Sequence, residues 1–197
     1  MYDGIVKRIA WWISRIFEPV WEVPLIVGMA VWYTVQPSLH IQMLAIIFLF
    51  DVILPGIFLA TSMKKGKMTD WDVTNRKERE GAYLFTTVSH LVSVIIMFFI
   101  GQVLLGKMLL VLWTIIASFM IINHYWKISV HAGVNALLVV FMNSLYGWKI
   151  FGWMSVILIL VLWSRVKIRK HTTTQVMIGA ALAMAMMEFG LRLLDII

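Results

Sequence analysis

The sequence predicts an all-α protein: a polytopic transmembrane helical bundle with six to seven membrane helices. Three observations carry that prediction. Hydrophobic types make up 61 % of the 197 residues and charged types only 14 %, where a soluble domain carries about 25 % charged residues. The apolar residues come in long runs, not in one stripe, which places most of the chain in lipid. The runs do not alternate as barrel strands would, and a bilayer tolerates only helices or closed barrels, so the spanning elements are helices.

The elements follow in order. Residues 1–19 read as an amphipathic surface helix: Ile5, Ile9, Trp12 and Ile16 fall three or four apart, with Lys7, Arg8 and Arg15 mostly off that line. Arg15 interrupts the apolar stretch and no small-residue cleavage site follows, so this is not a signal peptide. Residues 20–197 form the transmembrane domain, with hydrophobic helices expected at 20–36, 40–62, 82–104, 107–126, 131–147, 150–164 and 172–192. The first is crowded by Glu22, Pro24 and Gly28 and stops before Pro37. The segments 131–147 and 150–164 are short. About seventeen residues at 1.5 Å rise just reach across roughly 30 Å of hydrocarbon. Their ends therefore lie near the interface, or the bilayer thins around them.

Brief turns at "GQVLLGK" and "NSLYGWK" make antiparallel hairpins of the helices they join. Following the chain through those hairpins sends three polar junctions to one membrane face: "KKGKMTDWDVTNRKEREG", "HYWKISVHAG" and "WSRVKIRKHTTTQ". Of the 17 Lys and Arg residues, all but Lys107, Lys149 and Arg192 lie on that face or in the N-terminal segment. By the positive-inside tendency the charged face is cytoplasmic, in a multi-pass protein of the cell membrane. The same bias would arise if several of the cations held an anionic substrate.

Several function classes drop out. The chain has no cysteine, which removes disulfides and thiolate chemistry. It has no glycine-rich phosphate loop and no HExxH. Its basic residues are short clusters at helix ends with no long stripe, so nucleic acid is not expected as a partner. The junctions do not show the His and Asp numbers that a metal mechanism needs, and no cofactor is expected.

The residues that remain have chemistry. His171 and Gln175 are four apart at the opening of the last helix and share a face. Gln175 can accept from one ring nitrogen of His171, fixing the tautomer and leaving the other nitrogen to act. The helix start offers N–H groups and a positive dipole end suited to phosphate. Arg165 adds a rigid fork for two phosphate oxygens. In "KISVH", Lys127, the Ser129 hydroxyl, the Val130 N–H and His131 resemble an oxyanion pocket with a proton donor; the plainer reading is a polar cap on the helix that follows. The first junction offers Asp72, Arg76, Lys77 and Arg79. Arg76 and Arg79 share a face if that stretch is helical; it reads equally as a solvated, salt-bridged loop. Cations and histidines without a metal point to phosphoryl transfer through a phosphohistidine.

Ser164-Arg165, five residues, His171, three residues and then Gln175 resembles the S-R-x5-H-x3-D motif of the type 2 phosphatidic acid phosphatase superfamily, differing only at the last position. Ile128-Ser129-Val130-His131 resembles that superfamily's P-S-G-H motif at two of its four positions. K-x6-R-P is matched only by Arg79, with Asp72 and Glu80 at the other two places. The resemblance covers roughly residues 60–190. It implies a metal-independent enzyme of the membrane lipid phosphatase branch, in which His171 attacks phosphorus and His131 protonates the leaving lipid oxygen and then activates water. Arg165, Arg79 or Arg76, Lys127, Ser129 and the Val130 N–H would hold the phosphate oxygens. The implied substrate is an isoprenoid or glycerolipid phosphate monoester or pyrophosphate in the bilayer. The alternatives are a phosphotransferase with the same intermediate and a noncatalytic protein that binds or moves anionic lipid. Gln175 in place of Asp and Val130 in place of Gly are what keep the last alternative open.

Overall fold

The computed structural model describes residues 2–69, 73 and 75–197. Asp72 lies outside the described residues. Among those described, all regular structure is helical, and the chain divides into two compact units. The first comprises the chain up to Val23 and Lys127–Asp195, the second Pro24–Trp126.

The first unit opens with α1 (Tyr2–Ile16). Its Ile5, Ile9, Trp12 and Ile16 are exposed, whereas Ala10 and Ser14, four apart, are buried against α9 (Met154–Lys167). The predicted apolar line therefore faces away from the protein. The central helix of this unit is α7 (Val130–Tyr146), which packs on α9, on the short α8 (Trp148–Phe151) and on α10 (Thr173–Leu193). Nearly every residue from His131 to Asn143 is buried, as expected of a helix that is apolar all round. Gly179 of α10 makes the close approach possible: a Cβ there would stand 2.9 Å from the Ser129 carbonyl oxygen.

α2 (Pro19–Thr34) contains Pro24, where the second unit begins. Next comes a nearly continuous helical run, Pro37–Lys64. Within it, α3 (His40–Phe48) and α4 (Leu54–Lys64) flank a π turn, Leu49–Ile53. The cause is local. Pro55 has no N–H to give the Asp51 carbonyl, and the Leu54 N–H reaches back five residues to Leu49. α5 (Arg79–Phe99) and α6 (Val103–Tyr125) form an antiparallel hairpin. Its turn is tighter than the "GQVLLGK" expected, because Val103 already opens α6 and Gly101 adopts φ +80°.

Among the described residues, five stretches are long and apolar enough to cross a membrane: Asp3–Thr34, Pro37–Lys64, Arg79–Phe99, Val103–Tyr125 and Thr173–Leu193. By length and hydropathy that is fewer than the six to seven expected. The shortfall falls on the two segments anticipated to be short. α7 has 17 residues and α9 has 14, about 25 and 21 Å at 1.5 Å per residue, against roughly 30 Å of hydrocarbon.

Candidate functional site

The site residues of the first unit gather where α9 ends and α7 and α10 begin. α9 closes with Arg169 at φ +59°, a left-handed conformation that usually falls to glycine at helix ends. The turn sends the main chain back on itself, and the N–H groups of Lys170 and His171 both reach the Arg165 carbonyl, at 3.1 and 3.3 Å. His171 is thus tied to Arg165 through the backbone.

The Arg165 side chain is 2 % exposed. Its Nη1 donates to Ser14 Oγ of α1 at 2.7 Å and lies 3.4 Å from His131 Nε2. A guanidinium can only donate, so His131 Nε2 is the acceptor in that pair and neutral His131 carries its proton on Nδ1. His131 is itself buried. The first turn of α7 is capped by Ser129, whose hydroxyl accepts from the Ala132 N–H at 3.4 Å, the capping role weighed from sequence. That hydroxyl retains its own hydrogen for donation. Val130 is the first residue of α7, so its N–H belongs to the set a helix leaves without an internal acceptor. Lys127 sits half-buried two residues before Ser129.

His171 is 6 % exposed, and its Nδ1 is 3.1 Å from Gln175 Oε1. The same oxygen takes the Thr172 N–H at 3.1 Å, and the Thr172 hydroxyl accepts from the Gln175 N–H at 3.3 Å. This is a reciprocal capping box at the start of α10. It settles the tautomer. A backbone N–H can only donate, so the Gln175 atom facing it is oxygen. His171 Nδ1 must therefore carry hydrogen, and the lone pair of neutral His171 sits on Nε2.

Arg76 and Arg79 belong to the second unit. The predicted helical face does not form, because α5 begins only at Arg79. Arg76 Nη1 donates to the Asn123 carbonyl at 3.1 Å and to the His124 carbonyl, and Asn123 Nδ2 donates back to the Arg76 carbonyl at 3.3 Å. Arg79 Nε donates to the Val73 carbonyl at 2.5 Å. Glu78 and Asn75 knit the loop further, with Glu78 accepting from the Thr69 N–H at 2.8 Å and Asn75 Nδ2 at 2.9 Å.

Sequence reasoning missed Ser14, although its place four residues after Ala10, off the Ile stripe, was a readable sign. It also missed the capping box, written plainly in Thr172-x-x-Gln175. Asn135 Nδ2 meets Glu22 Oε2 at 2.7 Å, the carbonyl of His131 in its own helix at 2.9 Å and that of Phe17 at 3.3 Å. Of two acids within long apolar helical stretches, the Asp51 side chain is 4 % exposed, while that of Glu188 is 38 % exposed beside Arg192.

Comparison of the chain with protein-family models, with curated proteins and with solved structures finds no match. Among the described residues, no group of three or more His, Asp or Glu is placed to hold a metal ion.

Proposed function

We propose that the chain is a multi-pass membrane lipid phosphatase that releases phosphate from a lipid phosphate monoester or pyrophosphate through a phosphohistidine on His171. In this reading α7 and α9 also cross, and the bilayer thins around them. The observation that carries the proposal is the Gln175 oxygen, which holds the proton of His171 on Nδ1 and presents Nε2 as the nucleophilic nitrogen. The spacing Ser164-Arg165-x5-His171 adds to it.

The chemistry follows from the donors. Phosphate enters between Arg165 and His131, taking the guanidinium N–H that now meets His131 Nε2. In this complex His131 carries a proton on Nε2, facing the lipid oxygen. His171 Nε2 then attacks phosphorus as the bond to the lipid oxygen breaks, and His131 gives that oxygen its proton. In the second half, His131 Nε2 takes a proton from water, the hydroxide oxygen bonds to phosphorus, and the P–N bond breaks. Arg165, Lys127, the Ser129 hydroxyl and the Val130 N–H hold the equatorial oxygens, where such donors count most. With an acceptor hydroxyl in place of water, the same intermediate would make a phosphotransferase.

A second reading is favoured by one observation: Ser14 already occupies Arg165 Nη1. With neutral Gln175 and the Val130 side chain, the same pocket then serves as a noncatalytic seat for an anionic lipid headgroup. The experiment uses purified protein in detergent with chelator and terminally labelled lipid phosphate, quenched early. The enzyme gives phosphate release and an acid-labile, alkali-stable label on the protein, both absent from a folded H171A variant. Parental release from H171A removes His171 as nucleophile. Tight binding of lipid phosphate with neither label nor release establishes the second reading instead.

A further inference from the structure

The second unit holds a polar cluster that the proposed reaction does not use. Asp51 sits in the π turn, midway along Pro37–Lys64. Its Oδ2 is 2.8 Å from His90 Nδ1 of α5, and its Oδ1 accepts from Ser93 Oγ at 3.0 Å. His90 Nε2 is 2.9 Å from the Leu109 carbonyl of α6. Ser89 Oγ, one residue before His90, donates to the Phe50 carbonyl in the same turn. The Asp51 and His90 side chains are each 4 % exposed. All three participating stretches are long and apolar enough to cross a membrane.

We infer that Asp51 and His90 form a proton-binding site inside the membrane-crossing part of this unit, holding one exchangeable proton that fastens the π turn to α5 and α6. The inference rests on hydrogen-bond accounting. A carbonyl only accepts, so the Leu109 oxygen requires hydrogen on His90 Nε2. One further proton then satisfies every group: it lies between Nδ1 and Oδ2, whether carried as a carboxylic acid facing neutral imidazole or as imidazolium facing carboxylate. The pair is electrically neutral in both forms. Lose that proton to water, and a carboxylate faces a lone pair with no countercharge in apolar surroundings. Gain a second, and two donors face each other across 2.8 Å. Either change loosens the turn, so proton occupancy and helix geometry are linked.

Among the described residues, the hydrogen bonds given for the pair bring no other charged side chain to it. The pair bonds to Ser93 from α5 and to the Leu109 carbonyl from α6, and Ser89 of α5 donates to the Phe50 carbonyl one residue before Asp51. On the same elements, Lys64 ends α4, and Arg79 and Glu80 open α5, eleven and ten residues before His90. Lys107 precedes Leu109 by two residues, about 200° round the helix. Ionisable residues within membrane segments pair with one another and mark proton and ion pathways, and π turns recur at functional sites.

A plain polar fastener is the competing account, and Asp51→Asn separates the two. The amide of that variant can donate from Nδ2 to His90 Nδ1 and accept from Ser93 on Oδ1. The fastening survives and the exchangeable proton does not. The full chain is placed in nanodiscs of zwitterionic lipid with ¹⁵N-labelled histidine, the His90 resonance being assigned by its loss in H90Q. In the parent, the Nδ1 resonance should lie at a proton-shared position and shift as the pH is varied. Deuterium-exchange protection of residues 49–57, corrected for intrinsic pH dependence, should fall with it. In D51N, Nδ1 should be unprotonated and the protection flat with pH. Identical pH-independent protection in parent and variant overturns the site. If D51N does not assemble, the parent decides alone: an Nδ1 resonance that never moves with pH overturns it equally.

Discussion

His171 Nδ1 and Gln175 Oε1 stand 3.1 Å apart, and the same oxygen receives the Thr172 N–H that opens α10. One side chain thus caps a helix and fixes a tautomer. Gln175→Asp is then a poor way to bring a carboxylate to His171, since its shorter side chain retracts from both partners. Gln175→Glu is the informative change. It keeps the reach, suits the helix N-terminus and places negative charge beside a developing imidazolium. Its melting temperature should stay near the parent's while label formation on His171 quickens. Gln175→Ala should lose the half of the capping box that its side chain supplies, lower the melting temperature slightly and slow labelling. Thermal melts and quenched-flow labelling on the three proteins check this.

Gly179 is where α10 meets the start of α7. A methyl there would stand 2.9 Å from the Ser129 carbonyl, a main-chain atom unable to swing away. Gly179→Ala should therefore destabilise by about 1–3 kcal/mol, despite the better helix propensity of alanine. A denaturant midpoint in detergent measures the loss. Ala180→Gly, next along the same helix, controls for propensity.

Ser14 ties α1 to Arg165. Ser14→Ala leaves a buried cationic donor without that acceptor, which should cost about 1–3 kcal/mol. Ser14→Thr should hold most of it. If the phosphatase reading is correct, S14A should also tighten binding of inorganic phosphate, because the ligand no longer displaces a hydroxyl. Calorimetric titration with phosphate, run beside the melts, reads both effects.

Whether α9 crosses the bilayer is decided by the two ends of its segment. Single cysteines at Trp148 and Ile168 should react with an impermeant reagent from opposite sides if it does. Labelling of both from one side would leave α7 and α9 as a re-entrant pair packed in the first unit.

Hydropathy alone carried the helical class and the approximate place of the helices long and apolar enough to cross a membrane, because helices in lipid must hide their own backbone and do so in long apolar runs. The register of His171 with Gln175 was equally legible, since four residues is a local distance set by helix geometry. What the sequence could not distinguish was apolar surface meant for lipid from apolar surface meant for protein. The line Ile5, Ile9, Trp12 and Ile16 and the run from His131 to Asn143 are both hydrophobic, yet the first is exposed and the second buried among α9 and α10. Nor does any local pattern join Ser14 to Arg165 or Asp51 to His90, pairs 151 and 39 residues apart. Tertiary structure decided those, because burying a charge or an amphipathic ring demands a partner, and only the packing of distant helices determines which one is within reach.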